Sequence, residues 1–105
     1  MTFKTRFVNE AVTELDDAIG WYDDRRAGLG LVFLVAVDRT IKFVSQFPQV
    51  SRLVDGVAPD LKVRMAPVDR FPYYVAYLVT NDVIVVVAVA HERRRPHYWS
   101  GRTGS

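Results

Sequence analysis

A chain of 105 residues has room for one hydrophobic core and not for two. Half of its residues are hydrophobic and a quarter are charged, a balance that excludes an intrinsically disordered chain and a fibrous repeat. The absence of cysteine excludes a disulfide framework, a thiolate metal site and a cysteine nucleophile, and it fits a reducing compartment, so the cytoplasm is the expected location. The longest apolar run, Val83 to Ala90, falls far short of the ~18 residues a spanning helix needs, and the opening MTFKTRFVNEA is too polar for a signal peptide. No membrane segment is expected.

The formal net charge of +2 is unevenly spread. Residues 1–60 carry seven Lys/Arg against nine Asp/Glu, and residues 61–105 carry seven against three, so the basic excess is C-terminal. There Arg93, Arg94, Arg95 and Arg102 face a single Glu92 and are interleaved with His91, His97, Tyr98 and Trp99. Such a patch suits an anionic partner, a nucleic acid or an acidic protein segment.

The first element is a short strand over 3–8, and Asn9 is a good residue to cap a helix opening at Glu10. Ala11, Leu15, Ala18 and Tyr22 recur at helical spacing, with Glu14, Asp16, Asp17 and Asp23 expected on the solvent side. Arg25 and Arg26 suit the helix C-terminus, and Gly28 supplies the left-handed residue that ends it. The run LVFLVAV (31–37) has the β-branched character of a buried strand. A wider window places Phe33, Val37, Thr40, Ile41 and Val44 at helical spacing up to Phe47-Pro48, so a second helix and a helical hairpin are expected.

Residues 48–60 are turn-rich and read as a loop; Leu61, Val63 and Met65 then alternate with polar neighbours as a strand that Pro67 ends or confines to an edge. YYVAYLV (73–79) is the next strand, and Asn81-Asp82 is a two-residue hairpin turn into the doubly apolar VIVVVAVAH (83–91), which belongs in the middle of the sheet. An unbroken register from that turn would set Pro72 opposite His91 and put His91 on the face of Tyr74. The expected fold is α+β in two layers, with an N-terminal strand and an α-helical hairpin packed on one face of an antiparallel sheet in the order β-α-α-β-β-β.

Other chemistry-bearing pairs have plainer readings. Asp16-Asp17 and Asp23-Asp24 diverge by ~100° on a helix and cannot converge on a metal, so they read as a solvated face. Tyr73, Tyr74 and Tyr77 read as core residues with hydroxyls at the rim rather than as stacking platforms. No metal and no cofactor is expected.

Several segments together resemble the RelE/ParE toxins of bacterial toxin–antitoxin systems over nearly the whole chain. They are Trp21-Tyr22, GLG at 28–30 with Phe33 following, Phe47-Pro48, Arg64, RFPYYVAY (70–77) and VAVAHERRRPHYWSGR (87–102). The resemblance implies one toxin domain over 1–105 with a basic and aromatic tail at 92–105, neutralised by a cognate antitoxin whose acidic, amphipathic segment lies over the sheet and hairpin. It also implies one of two activities: cleavage of messenger RNA on the ribosome, or ParE-like inhibition of DNA gyrase by binding. A third reading is an inactive homologue that serves only as a repressor subunit with its antitoxin.

Metal-free RNA cleavage needs a base, an acid and cations for the phosphorane charge. Arg64, Arg70 and Arg94 could hold phosphate, His91 or His97 could move protons, and Tyr98 could donate a hydrogen bond or stack on a base. The ribosome-acting branch presents several lysines, whereas this chain has only Lys4, Lys42 and Lys62. The tail resembles that of ParE-like members, so the expected target-binding set is Arg64, Arg93, Arg94, Arg95, His97, Tyr98, Trp99 and Arg102, residue types enriched at interfaces. The competing structural reading has Tyr98 and Trp99 folding back onto the core with the arginines left in solvent.

Overall fold

The computed structural model describes residues 2–54 and 62–103. Strand β1 (Lys4–Phe7) leads into helix α1 (Asn9–Arg25) and helix α2 (Leu29–Gln46); strands β2 (Arg52–Leu53), β3 (Arg64–Pro67), β4 (Tyr73–Thr80) and β5 (Val83–His91) follow, and a 3-10 turn closes at Ser100–Arg102. The five strands form one sheet in the order β1-β5-β4-β3-β2. The expected two-layer α+β class and element order hold. Two refinements enter: β1 joins the sheet at its edge, parallel to β5, so the sheet is mixed, and the expected loop over 48–60 contains the two-residue β2, which pairs with β3. The remainder of that loop and the expected strand start at Leu61 lie outside the described residues.

LVFLVAV is helical because its apolar positions continue on one stripe: Phe33, Val37 and Val44 are buried while Leu31, Leu34 and Val35 face outward. The hairpin between the helices is tight. Gly28 has φ 90°, a left-handed conformation that glycine adopts without a Cβ clash. A Cβ on Gly30 would lie 2.6 Å from the Ile19 carbonyl oxygen of α1, so only glycine allows this approach. Asp23 Oδ1 accepts hydrogen bonds from the Gly28 and Gly30 amides, each at 3.0 Å, and so caps α2 from across the hairpin. Asp23 is therefore not simply part of a solvated face. Asn9 does not cap α1 either: it lies in the first turn, and Val8 occupies the cap position with no side-chain bond.

The helix-facing side of the sheet carries Val75, Tyr77, Ile84, Val86 and Val89, which join Ala11, Ala18, Tyr22, Phe33 and Val37 in the main core. Each of the larger aliphatic and phenylalanine side chains among them stabilises the fold by roughly 1.5–3 kcal/mol. The opposite side is a second cluster of Val63, Ala76, Val85, Val87, Ala88 and Ala90, covered by Trp99 from the tail. Asn81 and Asp82 both have positive φ (51° and 63°), the conformation of a type I′ hairpin turn.

From that turn the register runs as expected through Tyr77↔Val86. It then shifts: Ala76 pairs with Ala88, leaving Val87 as the extra residue of a β-bulge. Beyond it every β5 side chain changes face, so His91 sits opposite Tyr73, not Pro72, and on the helix-facing side rather than with Tyr74. Its ring packs edge-on against Tyr73 with centroids 5.0 Å apart.

Gly30→Ala should destabilise the fold by about 1–3 kcal/mol, because the added carbon meets backbone. Gly20→Ala on α1, where a Cβ meets nothing within 4 Å, should instead stabilise it by ~0.5–1 kcal/mol. Urea midpoints of the two variants against the parent chain check the pair.

Candidate functional site

Strand β5 is longer than β1, whose last partner is Val86, and the stretch past it has no strand on that side. Side chains take over there. Glu14 Oε1 accepts from the Val89 amide at 3.1 Å, and Arg102 Nη1 donates to the Val87 carbonyl at 3.0 Å. The two side chains also bind each other, Nη1 to Oε1 at 2.9 Å and Nη2 to Oε2 at 3.2 Å, while Tyr98 donates its hydroxyl to Glu14 Oε2. One carboxylate thus joins α1, the bulged strand and the C-terminal tail.

This clamp folds the tail back. Backbone bonds Arg94 N to His91 O, Tyr98 N to Arg95 O and Ser100 N to His97 O wind residues 91–100 into successive turns, with His97 at φ 62°. Trp99 is 1% exposed and donates Nε1–H to the Tyr74 hydroxyl at 2.9 Å. Two of the expected target contacts are corrected by this: Trp99 is a core residue of the second cluster, and Arg102 is a partly buried structural partner of Glu14. Arg93, Arg94 and Arg95 are exposed, with Arg94 stacked over the Tyr98 ring at 4.0 Å. Such a stack is worth ~0.5–1 kcal/mol at an exposed site.

Of the six residues offered for RNA cleavage, His91, Arg94 and Tyr98 line one cavity, and Arg64, Arg70 and His97 lie elsewhere. Arg64 donates to the Ser51 carbonyl at 2.7 Å, and Arg70 lies at the β3–β4 turn with φ 71° beside α2. His91 opens into a cavity between α1, the ends of β4 and β5 and the tail, whereas His97 lines a separate recess with Arg52, Tyr74 and Trp99. Arg94 borders both recesses. Among the described residues no group of three or more His, Cys, Asp or Glu could hold a metal ion, and no helix is long and apolar enough to cross a membrane.

Sequence reasoning missed two features. Glu14 was expected in solvent, yet Ala11, Glu14, Ala18 and Tyr22 follow one another at spacings of three and four, and that spacing was the available signal. The other is a groove of about 560 Å³ along α2, β3 and the β3–β4 turn, whose floor includes Leu31 at 64% exposure, Val35 and Phe43, and whose rim holds Arg39 and Arg70. Contiguous exposed apolar surface of this kind marks an interaction site.

The clamp also shapes ionisation. Burial, then the hydrogen bond to Glu14 and its charge, pushes the Tyr98 hydroxyl well above the ordinary tyrosine range. Burial alone would lower the Arg102 pKa, but the hydrogen bonds and charge of Glu14 outweigh it and raise it. Tyr22, Tyr73 and Tyr77 are raised as well, each chiefly by burial.

Two outcomes follow from this chemistry. Glu14→Ala leaves Arg102, Tyr98 and the Val89 amide without their acceptor and should cost about 2–3 kcal/mol, a figure held down by the pair's residual exposure to water. Increased acrylamide quenching of Trp99 in a Trp21→Phe background should accompany it, and a loss under about 0.5 kcal/mol would refute the clamp. Secondly, a tyrosine whose folded pKa is raised contributes stability that is complete below its unfolded value of 10.0 and lost as pH rises through the folded one. Urea midpoints should therefore hold to about pH 9 and fall steeply by about pH 11.5, with a shallower fall in Tyr98→Phe.

Comparison with known proteins places this geometry in a family. The family model described as "ParE toxin of type II toxin-antitoxin system, parDE" matches residues 6–96. A solved structure titled "Chromosomal ParDE TA system from P. aeruginosa" is similar at a TM-score of 0.71 and 15% identity, over 86% of this chain and 96% of that one, a likeness that shows the fold. No curated protein matches the chain. With nearly all of its elements inside the matched segment, the chain belongs to the ParE toxin family of type II toxin–antitoxin systems.

Proposed function

We propose that this chain is a cytoplasmic toxin that inhibits DNA gyrase by binding it through the exposed run Arg93–Arg95 and that is held inactive by an antitoxin seated in the α2–β3 groove. The observation that carries the reading is the contrast within the tail. Its anchoring groups, Trp99 and Arg102, are buried or partly buried, while its three consecutive arginines are left in water on a turn fixed at both ends. A fixed cationic turn loses little entropy on docking, and guanidinium forks recognise carboxylates bidentately.

Catalysis of RNA cleavage has less support. His91, Arg94 and Tyr98 share one cavity, but Arg64, Arg70 and His97 line other parts of the molecule, so the second and third cations of the expected set stand away from that cavity in this conformation. The groove supports the antitoxin half of the reading: its apolar floor suits one face of an amphipathic helix, and Arg39 and Arg70 at the rim complement the acidic segment expected of an antitoxin.

Purified protein with gyrase and relaxed plasmid should block supercoiling, while translating ribosomes given a defined message should leave it intact. Arg94→Glu/Arg95→Glu should weaken gyrase inhibition by about tenfold or more with a thermal midpoint within about 3 °C of the parent, since exposed charges contribute little to stability. Fragmented message with undisturbed supercoiling would overturn the reading in favour of the nuclease.

A further inference from the structure

The cavity that His91 opens into has a volume of about 560 Å³, a size that takes a nucleotide-sized ligand. One wall is an unbroken ladder of rings crossing three elements. Trp21 meets Tyr22 edge-on at 5.1 Å, Tyr22 meets Tyr73 at 6.1 Å, and Tyr73 meets His91 at 5.0 Å. The facing wall is Tyr98 with the Arg94 guanidinium stacked on it. Trp21 stands at the mouth, 51% exposed, with Arg25 over its ring at 4.0 Å. A half-exposed tryptophan in a chain that buries its other one completely is surface left available for contact.

The polar groups of this recess are predominantly donors. His91 Nδ1 accepts from the Arg93 amide at 3.0 Å, which fixes the neutral imidazole as the Nε2–H tautomer. Among the described residues no buried side-chain polar atom is left without a hydrogen-bond partner, so neither the Tyr22 nor the Tyr73 hydroxyl is a buried orphan, and Arg94 makes no ion pair. Glu14 also lines the cavity, but both of its oxygens are already engaged by Arg102, Tyr98 and the Val89 amide. Asp17 is the remaining carboxylate, and Arg94 in the lining and Arg25 over the Trp21 ring stand against it. Flat π-surface beside converging donors and cations is the combination that holds an unstacked base and its phosphate.

We propose that this cavity binds a single unstacked nucleotide, its base against the Trp21–Tyr22 rings and its phosphate held by Arg94 with His91 and the tyrosine hydroxyls. A free nucleotide and an unpaired residue of a single strand share this chemistry. The site is distinct from the α2–β3 groove and does not depend on gyrase being the target.

Trp21 reports on its own site, because Trp99 is buried on the other face of the sheet. The full-length chain is titrated with thymidine 5′-monophosphate, with a short oligothymidylate and with inorganic tripolyphosphate, following tryptophan emission. Saturable quenching by the mononucleotide and the oligomer alike would identify a free nucleotide as sufficient; quenching by the oligomer alone would identify the strand. Either result supports the site provided that His91→Ala and Arg94→Gln weaken it by about fivefold or more, while Arg70→Gln, in the other groove, does not. Circular dichroism of each variant separates lost binding from lost folding. The proposal fails if neither nucleotide probe gives a saturable change, if tripolyphosphate binds as tightly and quenches equally, or if folded His91 and Arg94 variants bind unchanged.

Discussion

The position of the tail depends on one carboxylate. A β-bulge and a strand that outruns its neighbour both leave backbone groups without ladder partners, and an unpaired buried amide or carbonyl costs about as much as a lost hydrogen bond. Glu14 and Arg102 engage two such groups on β5 and then each other. Because Glu14 comes from the middle of α1 and Arg102 from the end of the tail, solving a local problem in the sheet fixes the C-terminal segment against the helical layer. Tyr98 and Trp99 follow from that geometry, one reaching the carboxylate and the other packing across Ala76, Ala88 and Ala90 on the sheet face without helices.

The alanines are as important as the indole. A sheet face lined by Ala76, Ala88 and Ala90 leaves the height of a ring above it, and Trp99 occupies that height while its polar N–H finds the Tyr74 hydroxyl. Both sheet faces are thereby covered by a chain of modest length, one by the hairpin and the other in part by its own tail. The arginines between the end of β5 and Trp99 have no structural partner of comparable strength, so residues 93–95 are where this architecture leaves charge available for recognition.

Much of the framework was legible in the residues. Stripe periodicity separated the second helix from a strand, Asn81-Asp82 announced the hairpin, and Gly28 with Gly30 marked a close turn whose reason, the approach to Ile19, became visible only in three dimensions. The bulge at Val87 was not legible because residues 83–90 are apolar throughout: where both faces are buried, alternation carries no information about register. That single extra residue moved His91 to the other side of the sheet and so dissolved an expected neighbourhood with Tyr74. Asp23 and Glu14 were hidden for a different reason. A carboxylate on a helix looks solvated until a second element supplies donors to it, and the donors here are backbone amides seven and seventy-five residues away.

The same bulge explains why two recesses coexist on so small a molecule. By returning His91 to the helix-facing side it extends an aromatic block that already contains Tyr22, Phe33, Phe71 and Tyr73. Phe33 lies 5.0 Å from Phe71 and 4.9 Å from Tyr73, and Tyr22 lies 4.9 Å from Phe71. Phe71 lines the α2–β3 groove, while Tyr22 and Tyr73 line the cavity under the tail, so the two recesses are opposite surfaces of one packed cluster. Close-packed rings transmit displacement instead of absorbing it. The two surfaces therefore share one packed block of rings, and the segment between β3 and β4, with its left-handed Arg70, joins the strand that borders one recess to the strand that borders the other.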